Sequence, residues 1–90
     1  MKGFEAANQF TREFSKHPLA QFESISKITL DHIGNVSVTL GKGPELRLGR
    51  KPLEAMKSFD KIAPILESPD RLKIDYVDLQ FNNVIVKQKR

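Results

Sequence analysis

The chain has 90 residues, 15 Lys and Arg against 11 Asp and Glu, a formal charge of +4, 39% hydrophobic residues and no Cys. That length suits one small domain with a modest core and is too apolar for wholesale disorder. It excludes a disulfide framework, a thiol nucleophile and a thiolate metal site, and two His cannot fill a His-rich metal site unaided. No apolar run approaches the ~18 residues of a membrane span, and the first residues lack the apolar stretch of a signal peptide, so the chain alone is expected to be soluble.

Phe4, Ala7, Phe10 and Phe14 recur on one side of a 3.6-residue period, with Glu5, Gln9, Arg12, Glu13 and Lys16 on the other. This predicts an amphipathic helix over 4–16 that docks through three phenyl rings. His17-Pro18 ends it, because a residue before proline is pushed out of the α region. From Ser24 the period becomes two: Ile28 and Leu30 alternate with Lys27, Thr29 and Asp31, and after Gly34-Asn35 the series resumes as Val36, Val38 and Leu40. Two strands joined by a turn fit this pattern. Gly41-Lys42-Gly43-Pro44 makes a second turn, and Leu46 and Leu48 mark a short third strand.

Pro52 suits the first turn of a second helix over 52–63, in which Leu53, Met56, Phe59 and Ile62 recur at three- to four-residue spacing with Leu66 continuing the series, and Pro64 ends or kinks it. After Ser68-Pro69-Asp70, Ile74 opens a fourth strand in which Val77, Leu79 and Phe81 alternate with Asp78 and Gln80. Asn82-Asn83 is a two-residue turn, and Val84 to Lys89 is the returning fifth strand. The fold class is α+β: a mainly antiparallel five-stranded sheet with two helices packed on it and a C-terminal hairpin at a sheet edge. A helical crossover returns strand four parallel to the strand it left, beside strand three or beside strand one. Strand five is an edge in both arrangements. Inserting it between strands one and four is disfavoured, because Val77, Leu79 and Phe81 would then lie poorly covered on an outermost strand.

Ile28-Thr29-Leu30, Gly34 to Leu40, Glu45 to Arg50 with its Leu48-Gly49-Arg50, the following helix, Tyr76 to Phe81 with its Val77-Asp78-Leu79, and Val84 to Lys87 come in an order and spacing that resembles a known family. It is the C-terminal β domain of the bacterial cell-division proteins FtsQ and DivIB, and the resemblance is clearest over residues 25–89. The family usually has Arg where Gln80 stands, and commonly Pro-Asn-Gly in the turn where this chain has Asn82-Asn83. The resemblance implies that residues 1–90 are a single domain excised from a longer parent with a cytoplasmic tail, one membrane anchor and a POTRA domain. It places the domain on the extracytoplasmic face of the membrane. It also implies a scaffold without catalysis or cofactor that binds the division proteins FtsB and FtsL.

An edge strand offers unpaired N–H and C=O groups that an extended peptide can satisfy by joining the sheet. The expected site is Val84, Ile85, Val86, Lys87, Gln88 and Lys89, with Tyr76 and Gln80 adding selectivity. Val84 and Val86 would face the core, and Ile85, Lys87 and Lys89 the opposite side. The same edge would accommodate a weak homo-oligomer. Asp78 is placed to contact Lys87 or Lys89 across the hairpin. The rival reading is a cytoplasmic nucleic-acid or anionic-ligand binder using Lys42, Arg47, Arg50 and Lys51 with Lys87, Lys89 and Arg90. It is disfavoured because Tyr76 is the sole Tyr, Trp is absent and most Phe fall on inferred core faces, leaving no stacking platform, so no nucleic-acid partner is expected. His17, His32, Asp31, Asp60, Asp75 and Asp78 form no acid–base or nucleophilic constellation, which argues against an enzyme.

Overall fold

A computed structural model describes residues 2–80 and 83–89. Helix α1 spans Lys2–Phe14 and leads through a 3₁₀ turn at Pro18–Gln21 into β1 (Ile25–Leu30), β2 (Val36–Leu40) and β3 (Glu45–Gly49). Helices α2 (Pro52–Ala55) and α3 (Phe59–Glu67) follow, joined by a 3₁₀ turn at Met56–Ser58; another at Pro69–Lys73 precedes β4 (Ile74–Asp78) and β5 (Ile85–Gln88). The fourth strand stops at Asp78 instead of continuing to Phe81. Phe81 and Asn82, and with them the predicted Asn82-Asn83 turn, lie outside the described residues.

The strands lie in the order β1-β2-β3-β4-β5. β1/β2, β2/β3 and β4/β5 are antiparallel and β3/β4 is parallel, so the sheet is mixed. The helical crossover therefore returns β4 beside β3, one of the two places the sequence left open. Val36, Val38, Leu40, Leu46, Leu48, Val77 and Leu79 are buried under the helices, while Ser37, Thr39, Arg47 and Tyr76 keep contact with solvent.

The helical seam differs from the predicted one. Pro52, Ala55, Phe59, Ile62 and Leu66 are buried, at spacings of three and four residues, whereas Leu53 is exposed and Met56 only half-buried. Small Pro and Ala side chains hide this stripe from a count of large apolar residues, although it fits the α period better. Pro64 does not end the helix, which runs to Glu67 with the proline inside. Pro64 and Asp60, whose carbonyl loses its helical donor, are both exposed, so water can satisfy that carbonyl while Ile62 and Leu66 remain buried.

In α1, Ala7, Phe10 and Phe14 are buried, but Phe4 is 60% exposed, so two phenyl rings dock instead of three. Phe10 and Phe14 meet Phe59 edge-on at 6.0 and 6.1 Å, and this aromatic cluster joins α1 to α3. Phe22, at 80% exposure, also lies outside the core.

Three bulges interrupt the ladders, one of them at Leu48 of β3, opposite the step from Val36 to Ser37. Ser26 is the extra residue of β1, and its hydroxyl donates to the Thr39 and Gly41 carbonyls. Asp75 is the extra residue of β4, so Ile74 and Val77, three apart, both turn to the covered face. At the β1–β2 turn the Asp31 carboxylate accepts from the Ile33 and Asn35 backbone N–H groups and from the Asn35 side chain. The Asn35 side-chain bond chiefly holds the Asp31 carboxyl below its ordinary value.

Arg71, unremarked in the sequence, ties the front of β4 to the rest of the domain. Its Nε donates to Gly43 O at 2.7 Å, Nη1 to Leu66 O and Glu23 Oε2, and Nη2 to Leu40 O and Glu23 Oε1. The side chains of Arg71 and Glu23 are 19% and 13% exposed. Hydrogen bonding to Glu23 raises the Arg71 guanidinium above its usual value, keeping it firmly charged.

Candidate partner-binding edge

β5 closes one end of the sheet order, and among the described residues no strand pairs with its outer side. The free backbone groups can be identified. Lys89 N–H donates to Lys73 O at 2.8 Å and therefore points inward. The extra residue of this ladder is in β4, so β5 keeps a regular period of two. Lys87 and Ile85 consequently turn their N–H and C=O groups toward β4, and Gln88 and Val86 turn theirs outward. β1, the other border, carries its bulge within itself, a feature that blunts an edge against pairing. β5 is the flatter template.

The side chains follow the same register. Val86 lies opposite the fully buried Val77 on the helix-covered face, yet it is 41% exposed. It therefore faces the core side, as expected, and stays partly exposed because it lies on the border strand. Val84 is half-buried and packs against the core. Ile85 is 56% exposed on the open face with Lys87, and Gln88 and Lys89 are exposed.

Tyr76 stands opposite Lys87. The Arg47 guanidinium carbon lies 3.6 Å from the Tyr76 ring centroid, and Arg47 Nε is 3.0 Å from Glu45 Oε1. The ring therefore has a cation on one face and is half-buried rather than freely displayed. Asp78 forms no cross-hairpin ion pair. Its Oδ1 accepts from Gln80 N–H at 2.9 Å, bending the chain out of β4, and its register partner is Ile85. Among the described residues no carboxylate lies within salt-bridge distance of Lys87 or Lys89.

Two motifs far apart in sequence meet beside this hairpin. Leu48, Gly49 and Arg50 line a cleft of about 500 Å³ together with Leu79 and Gln80, and α2 contributes Glu54 and Ala55. Gly49 has φ +76°, and a Cβ added there would fall 2.8 Å from Gln80 Cγ. Gly49→Ala is expected to cost about 1–2 kcal/mol through left-handed backbone strain and to push Gln80 aside. Thermal unfolding should show a fall in Tm of roughly 5–10 °C; an unchanged Tm would contradict this account.

Lys42 is in the turn before β3 and Arg50 and Lys51 follow its far end, roughly 15 Å away at ~3.3 Å per residue, with Arg47 engaged by Glu45 and Tyr76 between them. Among the described residues no helix is long and apolar enough to cross a membrane.

No curated protein matches the chain. A family model, cell division protein FtsQ/DivIB, C-terminal, matches residues 4–80. The match takes in α1, where the sequence resemblance is least clear, and ends at Gln80, before β5.

Proposed function

The chain belongs to the FtsQ/DivIB C-terminal family, which points to a role in cell division, and from that membership we propose that it is a non-catalytic scaffold module that captures partner division proteins by β-strand addition along Val84 to Lys89. FtsB- and FtsL-like proteins are the proposed partners, met on the extracytoplasmic face of the membrane by a domain whose parent is anchored there. The observation that supports this reading is the border position of an unbulged β5 with the backbone groups of Val86 and Gln88 directed outward. Main-chain bonds would supply affinity, and Tyr76, Gln80, Ile85 and Lys87 selectivity. Amide hydrogen exchange during titration with an FtsB-like segment tests it. The Val86 and Gln88 amides should slow on binding, and unchanged exchange at saturation would overturn the reading.

A further inference from the structure

We propose that the strand β5 accepts carries two carboxylates at alternate positions, opposite Lys87 and Lys89, followed by an apolar pair that meets Ile85 and Val86; this rests on strand addition at β5.

The open face supplies the charge argument. Lys87 and Lys89 lie two residues apart on a strand without an extra residue, so both side chains project from the same face. Asp78, opposite Ile85, accepts from Gln80 N–H and makes no ion pair with them. Glu45 is held by Arg47, and Asp70 is 3.5 Å from Lys73, whose carbonyl binds Lys89 N–H. Asp75, exposed in the bulge of β4 between the register partners of Gln88 and Lys87, is also not within salt-bridge distance of either lysine. Antiparallel self-pairing of β5 centred on Lys87 would set Lys87 against its own copy, so the charge pattern disfavours a second copy of this chain as the occupant.

The other two contacts are apolar and lie on opposite faces. Ile85 is 56% exposed on the open face and Val86 41% exposed on the covered face. An added strand places successive side chains on alternate faces, so two adjacent apolar residues can cover both. The recognised pattern is acidic, any residue, acidic, then two apolar residues for an antiparallel strand, and its reverse for a parallel one.

The probe is a blocked synthetic peptide, Thr-Glu-Thr-Glu-Val-Val-Thr, compared with the same peptide carrying Lys for both Glu. Binding is followed by amide chemical shifts of the intact chain. The acidic peptide should bind at least tenfold more tightly than the lysine peptide, weaken severalfold between 50 and 500 mM salt, and move the Val86 and Gln88 amides most. In the Lys87→Glu, Lys89→Glu double variant the preference should reverse. Two peptides that bind equally with shifts still centred on Val86 and Gln88 would overturn the charge pattern while leaving strand addition standing. Binding that leaves those amides unmoved, or tighter binding of a single-stranded oligonucleotide than of the acidic peptide, would overturn both.

Discussion

Val86→Pro is expected to leave the domain folded and to lower its affinity for a partner strand by about ten- to a hundredfold. The Val86 N–H points away from β4, so proline removes no bond of the β4/β5 ladder. The side chain is 41% exposed, and proline is tolerated on border strands with the N–H side facing out. An added strand loses a donor worth ~0.5–1.5 kcal/mol net and meets a ring where it needs close approach. Lys87→Pro is the control: its N–H serves β4, so this variant should lose stability as well as affinity. Calorimetric titration with an FtsB-like segment, alongside circular dichroism, separates the cases. Full affinity in a folded Val86→Pro chain would rule out strand addition at this border.

Arg71→Ala should be the most destabilising single change among the polar residues. It removes the donors to Gly43, Leu66 and Leu40 carbonyls and leaves the largely buried Glu23 carboxylate without its cation. Breaking one side of a buried pair costs about 3–5 kcal/mol, and the incomplete burial here favours the lower figure. For a domain of this size that corresponds to a fall in Tm on the order of 10–20 °C. Arg71→Lys should recover only part, because an ammonium cannot reproduce the planar fork. Urea unfolding measures both variants, and a change under about 1 kcal/mol in Arg71→Ala would show that the clip does not hold the β4 entry.

The strands were legible because apolar and polar residues alternate in them, and turn residues such as Gly34 and Gly41 punctuate the series. The helices were legible in existence and approximate extent. Their faces were less so: the stripe at Pro52 and Ala55 is carried by small side chains, and Phe4 has the right spacing but projects beyond the core. The hairpin that places β5 beside β4 could be read from its two runs, since an antiparallel return needs only a short connection. The bulges at Ser26 and Asp75 could not, because each shifts the register without altering composition.

The sequence by itself determined the order of elements, the residues able to form a core and, through the FtsQ/DivIB resemblance, the family. These depend on local period and short-range turn chemistry, which a linear pattern records. The tertiary structure alone decided that β4 joins β3, that Glu23 and Arg71 close a clip across 48 positions, that Gly49 and Gln80 meet in one cleft, and that Asp78 turns to Gln80 instead of to a lysine. The physical reason is that a pairing partner, a hydrogen-bond acceptor or a solvent-facing flank is set by which distant segments are brought into contact. No spacing along the chain specifies that choice.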